Sequence, residues 1–149
     1  MKVKIAWLLC VLWMGFIFFM SAMPGDISSE QSGVIVTVIK EIIETVTRGR
    51  AVKIDTDAVQ FFVRKAAHML EYAVLFLLYR RALALSGARH PGIAALLLCS
   101  AYASTDEFHQ RFVDDRGASP VDVLIDTAGA ALAWLLTMIK EQIAQRVRT

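Results

Sequence analysis

Residues 61–79 read FFVRKAAHMLEYAVLFLLY. The stretch has the length of a bilayer-spanning helix, which needs about 20 apolar residues. Its first half nevertheless holds Arg64, Lys65, His68 and Glu71. On a helix Arg64, His68, Glu71 and Leu75 follow i, i+4, i+7 and i+11, a single stripe. An ionisable side chain at the centre of a span costs roughly 2.5–3.5 kcal/mol on insertion scales, so such groups persist where they have partners. Those partners have to come from elsewhere in the chain.

Two further apolar stretches supply them. Residues 93–112 end in Asp106-Glu107-Phe108-His109-Gln110 before Arg111-Phe112, and Asp106, His109 and Gln110 share one helical face. Residues 121–139 open with Asp122 and Asp126, continued along the same stripe by Gly129 and Ala133. At 1.5 Å of rise per residue, Asp106 and Asp126 lie roughly 8–9 Å from their helix ends and Glu71 roughly 15 Å. Helices that alternate in direction bring all of these ends to one side of a bundle. Gly129 and Ala133 on one helix, with Ala101 and Ala103 on another, offer small faces for close approach.

The rest of the chain fits a membrane setting. Its 149 residues are 56% hydrophobic and 20% charged, with mean hydropathy +0.52, too apolar for an ordinary soluble domain. The net charge is only +2, and no basic stripe with interleaved aromatics is present, which argues against a nucleic-acid partner. Cys10 and Cys99 each sit inside an apolar run, spaced neither as a disulfide framework nor as a zinc motif. Residues 5–23 form an uncharged run behind Lys2 and Lys4. Signal peptides share that layout. Here, however, the run is span-sized and Pro24 directly follows the small-residue site at Ser21-Ala22-Met23, so it reads as an uncleaved first span. Trp7, Trp13, Phe16, Phe18 and Phe19 are expected at lipid-facing or interfacial positions.

Pro24-Gly25-Asp26 reads as a turn and Ser28-x-x-Gln31 as a capping box for an amphipathic helix over residues 29–47. Val34, Ile35, Val38, Ile39, Ile42, Ile43 and Val46 fall on its apolar face, with Lys40, Glu41, Glu44 and Arg48 opposite. It is too charged to span and is expected to lie along the membrane surface, stopped by Arg48-Gly49-Arg50. Asp55 caps the next helix, and Ser119-Pro120-x-Asp122 gives the last one a serine cap, a first-position proline and a first-turn acid. The expected architecture is all-α. It is one domain over residues 1–149, an integral membrane four-helix bundle with spans near 5–23, 61–79, 93–112 and 121–139. An additional extracytoplasmic amphipathic surface helix completes it. A raw count of Lys and Arg does not separate the two sides. The residues flanking short loops do: Lys2, Lys4, Arg80, Arg81 and Arg89 place both termini in the cytoplasm.

The ordered motifs also resemble a known family. His68-x-x-Glu71-Tyr72, Asp106-Glu107-x-His109-Gln110, and Arg116 followed by Asp122-x-x-x-Asp126-x-x-Gly129 together are similar to the VanZ-like membrane proteins. Ser21-x-x-Pro24-Gly25 and Arg64-Lys65 ahead of the histidine match that pattern too, so the resemblance covers nearly the whole chain. A glycine commonly precedes the arginine in the family; here Asp115 precedes Arg116 and Gly117 follows it. The resemblance implies a multi-pass protein of the bacterial inner (plasma) membrane and cell envelope. It also implies a link to reduced susceptibility to glycopeptides, since the founding member is associated with resistance to teicoplanin. It implies no particular chemical mechanism.

The expected site follows from residue chemistry. His68, Glu71, Asp106 and His109 are the candidate reactive groups, either histidine serving as a general base backed by a carboxylate. Arg64, Lys65 and Arg116 suit an anionic group, and Tyr72, Glu107, Gln110, Asp122 and Asp126 complete the ligand-binding set. Plainer roles compete at several positions. Asp122 is an ordinary first-turn acid, Arg64 and Lys65 can be snorkelling anchors, and Glu107 can pair with Arg111 one turn on. Polar contacts between membrane helices average only about 0.6 kcal/mol, which makes the cluster modest glue. The His68/Glu71 and Asp106/His109 pairs are of the kind that bind zinc, manganese or iron in helical bundles. No HExxH motif accompanies them and carboxylate–imidazole pairs need no metal, so no metal site is assigned. The expected ligand is an amphiphile: a lipid headgroup, a lipid-linked cell-wall precursor or a lipoglycopeptide, with the bilayer as the other partner. Two other readings are a small proton- or ion-coupled carrier and a structural, partner-binding protein with a polar core. The apolar inner halves of the spans count against the carrier.

Overall fold

The helix starts carry the expected caps in the computed structural model, which describes residues 1–48, 55–114 and 116–147, the side chains of 25–32 excepted. Among the described residues the chain is all-α, with α1 Lys2–Ser21, α2 Gly25–Val46, α3 Thr56–Leu85, α4 Pro91–Gln110 and α5 Pro120–Arg146. Asp55 Oδ1 accepts from the backbone N–H groups of Asp57 and Ala58 at 3.1 and 3.2 Å. Ser119 Oγ accepts from the Val121 N–H at 3.2 Å, with Pro120 first in α5 and Asp122 in its first turn. These contacts satisfy N–H groups that a helix start leaves without partners.

α2 departs from expectation. It begins at Gly25, directly after an extended Pro24, so Ser28 lies inside the helix rather than at its cap. The side chains of Ser28 and Gln31, the Gly49-Arg50 stop, Asp115 and Arg148 lie outside the described residues. Arg48, at φ 52, takes the left-handed conformation that ends many helices. α2 packs on α3 through Val36, which is buried, and Lys40 Nζ donates to Thr56 Oγ1 at 2.7 Å. Val34, Ile35, Val38, Ile42 and Val46, most of its expected apolar face, stay exposed.

α3 is the hub and touches each of the other four helices. α3 and α5 run parallel: Lys65 meets Asp122 at one end, and Arg80 pairs with Glu141 at the other. α1 and α4 run the opposite way, because Trp7 near the start of α1 reaches Ser86 just past the end of α3. The core between them holds Cys10, Ile17, Tyr72, Leu75, Phe76, Ala82, Ala95, Cys99, Ala103 and Ala130. Ala101, expected beside Ala103, is exposed, since residues two apart on a helix point to nearly opposite sides. Trp7 and Trp13, expected at lipid-facing or interfacial positions, are half-buried against α3. The Trp7 Nε1–H donates to Ser86 Oγ at 3.1 Å and the Trp13 Nε1–H to the Glu71 carbonyl at 2.9 Å. A half-buried indole needs an acceptor for its single N–H, and α3 supplies it. Met14 is likewise interhelical, its Sδ accepting from the Tyr79 hydroxyl and its carbonyl from the Tyr102 hydroxyl.

The outer surface is apolar, with Leu8, Leu12, Phe19, Leu70, Leu97, Leu132 and Leu136 exposed. Among the described residues α1 and α5 are long and apolar enough to cross a membrane. α3 and α4 fall short of that measure, because the polar residues of their outer ends interrupt their apolar runs.

Gly129 in α5 lies directly against the backbone of Met69 in α3. A Cβ at position 129 would collide with the Met69 carbonyl oxygen and lie 2.7 Å from its Cα. Backbone cannot swing aside as a side chain can, so α5 has to move. We expect Gly129→Ala to destabilise the fold by about 1–3 kcal/mol, measured as a lowered thermal midpoint in detergent. An unchanged midpoint would show that the contact is looser than this packing requires.

Candidate functional site

The expected cluster assembles where α1 ends and α3 and α5 begin. Lys65 Nζ stands 2.5 Å from Asp122 Oδ1, joining the third turn of α3 to the first turn of α5. One turn deeper, His68 Nδ1 lies 3.8 Å from Glu71 Oε2 and 3.9 Å from Asp126 Oδ1. Those separations exceed a hydrogen bond, and they place the imidazole between the two carboxyl groups. Trp13 holds the Glu71 backbone carbonyl and so fixes this turn of α3 against α1.

A second polar group lies against α1. Gln110 Nε2 donates to Ser21 Oγ at 3.0 Å and reaches Asp106 Oδ2 at 3.5 Å, and the Ser21 hydroxyl serves Asp106 as well. All three side chains are buried. Tyr72 is fully buried between these groups, its ring 6.2 Å from that of Tyr102 and its hydroxyl within electrostatic reach of Asp106 and Asp126. His109, expected on the Asp106 face, stacks on Phe18 of α1 with ring centroids 4.4 Å apart. Residues i and i+3 differ by about 60° around a helix, enough to turn its ring from the cluster toward α1.

Two residues hold roles that their spacing did not indicate. Glu107, expected to pair with Arg111, is buried and accepts the Ser119 backbone N–H at 2.7 Å. Arg111 instead lies over the Phe108 ring, 5.9 Å from its centroid. Arg116, expected to meet an anionic group, donates from Nε to the Met23 carbonyl at 2.9 Å and from Nη2 to the Met20 carbonyl at 3.2 Å. It thereby ties the α4–α5 connection to the end of α1, where helix carbonyls lack partners and the helix dipole is negative. Burial, and after it the positive charge of Arg64, push the Arg116 guanidinium below its ordinary value, while Asp106, Glu107 and Glu71 offset part of this. It stays charged at any physiological pH.

Arg64, Lys65, His68, Gln110, Arg116, Gly117 and Asp122 line a cleft of about 170 Å³ at this end of the bundle. Six of these were expected from the sequence and Gly117 was not. Glu71, Tyr72, Asp106 and Asp126 lie beneath them, Glu107 stands to one side at the α5 cap, and His109 faces α1. Among the described residues no three His, Cys, Asp or Glu side chains are grouped to hold a metal ion. Ser21 and Trp13 were also missed as contributors. Ser21 had one signal available, a polar residue closing an uncharged run at the end where the cluster gathers.

A helical membrane bundle with one polar end is the class that this fold and site define. The family model of VanZ/LLP1 matches residues 6–141, and the chain belongs to the VanZ/LLP1 family. No curated protein and no solved structure matches it. Family membership together with two membrane-length apolar helices makes this a membrane protein.

The position of Glu107 separates a structural role from a ligand-binding one. Truncation leaves the Ser119 N–H without its acceptor, whereas glutamine keeps a carbonyl in place. We expect Glu107→Ala to cost about 1–3 kcal/mol and Glu107→Gln to recover most of it, both read from thermal unfolding in detergent. Equal losses in the two variants would show that the carboxylate charge, not the cap, is what matters.

Proposed function

We propose that this protein spans the bacterial inner membrane four times, with both termini in the cytoplasm and the cleft at the outer face. There the cleft binds the anionic headgroup of an amphiphilic envelope ligand. One observation carries the reading: Arg64, Lys65 and Arg116 gather around a single cleft, with Arg64 close enough to Arg116 to disfavour its charge. Like charges brought together at a membrane interface are relieved by an anion, and guanidinium groups suit phosphate and carboxylate. Lys65 is already engaged by Asp122, while Arg116 gives only two of its five N–H groups to the Met20 and Met23 carbonyls, so the two arginines are the principal anion contacts.

Size narrows the ligand. Pockets for drug-sized molecules hold roughly 300–1,000 Å³, and this cleft has about 170 Å³. A phosphate-bearing headgroup suits that space, on a phospholipid or a lipid-linked cell-wall precursor, better than the body of a lipoglycopeptide. A role in glycopeptide susceptibility then runs through the envelope lipid rather than through capture of the drug. His68, with Glu71 and Asp126 at its side, is the group placed to orient the headgroup or accept a proton from it. The exposed apolar face of α2, with Val34, Val38 and Ile42, suits the interfacial layer of the outer leaflet, level with headgroups. Exposed apolar residues on α3 and α4, among them Leu70, Leu77, Ile93 and Leu97, favour four spans although only α1 and α5 are apolar enough by composition. The inner part of the bundle is filled by Phe76, Cys10, Cys99 and Ala82, which favours a binder over a carrier.

Mass spectrometry of lipids that co-purify in mild detergent tests this reading. We expect a phosphorus-containing amphiphile to be retained by the wild type and to fall about tenfold in Arg64→Gln, the loss of one charge-assisted contact. Equal retention by both proteins would remove the arginine cleft as the binding site.

A further inference from the structure

The cleft is bipolar, and its two poles differ in what they lack. The mouth is cationic, through Arg64 and Arg116. Beneath it stand Glu71, Asp106 and Asp126, with Tyr72 among them. Asp106 and Asp126 are each 2% exposed and Tyr72 is 0% exposed. Among the described residues Asp106 Oδ1, Asp126 Oδ1, the Tyr72 hydroxyl and His68 Nδ1 are buried without a hydrogen-bond partner. A buried polar atom left in that state costs about 1–3 kcal/mol, and native proteins hold few of them. The two carboxylate oxygens have no donor, and donors here are few. Tyr72 and His68 can each give one proton, while Lys65 is engaged by Asp122 and Arg116 gives two of its five N–H groups to the Met20 and Met23 carbonyls. His68 lines the cleft and stands 3.9 Å from Asp126 Oδ1, so it links the cleft to the acidic group behind it.

Resting on the headgroup reading above, we propose that the ligand is a zwitterionic aminophosphate headgroup. Its phosphate lies between Arg64 and Arg116, and a primary ammonium on a short tether points down to Asp126, Asp106 and the Tyr72 hydroxyl. A primary ammonium carries three N–H donors and one positive charge, answering both the missing donors and the excess of carboxylates. A quaternary ammonium has the charge but no donor, a glycerol headgroup has donors but no charge, and a bare phosphate monoester has neither. The site therefore separates phosphoethanolamine from phosphocholine, phosphoglycerol and phosphatidic acid.

The test uses the purified full chain in detergent, titrated calorimetrically with short-chain phosphatidylethanolamine, phosphatidylcholine, phosphatidylglycerol and phosphatidic acid. The expected result is phosphatidylethanolamine binding at least tenfold tighter than each of the others. Soluble phosphoethanolamine should compete and phosphocholine should not. Asp126→Asn and Asp106→Asn are expected to erase the preference while keeping affinity for phosphatidic acid, and Arg64→Gln to weaken all four lipids alike. Equal binding of the ethanolamine and choline lipids, or of the ethanolamine and glycerol lipids, overturns the ammonium assignment. If Arg64→Gln still weakens every lipid in that case, the anionic-headgroup reading stands without it. Affinity that depends neither on headgroup nor on Arg64 overturns both. The comparison of lipids on the wild type decides the matter even if an aspartate variant fails to fold.

Discussion

The contact between Gly129 and the backbone of Met69 sets the distance between α3 and α5, and the polar end of the molecule depends on that distance. Two parallel helices carry complementary polar residues in matched order, Lys65 and His68 on one, Asp122 and Asp126 on the other. At the 8–10 Å usual between helix axes, short aspartates and an imidazole meet only if some position lets the backbones nearly touch. Glycine provides it one turn below Asp126, with Ala130 and Ala133 continuing the small surface inward. The spacing Asp122, Asp126, Gly129 is thus one device: two acids and the notch that lets them reach across.

The same end shows how buried ionisable groups are tolerated in a small membrane bundle. Asp106 rests on Ser21 and Gln110, Glu107 on the Ser119 N–H, and Arg116 on carbonyls at the end of α1. Apart from Asp106–Gln110, which lies within α4, each contact joins two different helices, or a helix and a loop, so the polar groups also tie the bundle together. Tethers of about 0.6 kcal/mol each add little stability, but they fix which residues face the cleft. The other end is simpler, with the Arg80–Glu141 pair and the Trp7–Ser86 hydrogen bond closing it.

The periodic features of the fold were legible in the sequence. The caps at Asp55 and Ser119 are local chemistry, and the Arg64–His68–Glu71 and Asp122–Asp126–Gly129 stripes follow from 3.6 residues per turn. The interhelical partners were not legible, because they depend on rotations and offsets that no single helix encodes. Glu107 had an apparent mate in Arg111 one turn away and took Ser119 from the following loop instead. Trp13 looked like an interfacial anchor and bonds the Glu71 carbonyl, since a backbone acceptor leaves no mark in a sequence. The start of α2 was missed because a capping-box pattern is weak beside a proline that launches a helix at once. The site was therefore recognisable as a set of residues, while its division into mouth, floor and supporting contacts needed the packing.

That division bears on what the polar cluster is for. A cluster that served only to fix helix register would be expected to satisfy itself, as the Ser21–Asp106–Gln110 group nearly does. Here the supporting contacts are made at Glu107, Arg116 and the caps, whereas Asp106, Asp126, Tyr72, His68 and, against α1, His109 each keep a buried atom without a hydrogen-bond partner among the described residues. All of these but His109 gather behind the cleft, and on the reading proposed above a bound headgroup would supply hydrogen bonds that the chain itself does not. The core shared by these helices is apolar, so on the same reading the headgroup would come and go through the cleft. A cationic cleft backed by buried carboxylates is the arrangement on which the proposed lipid-headgroup role rests.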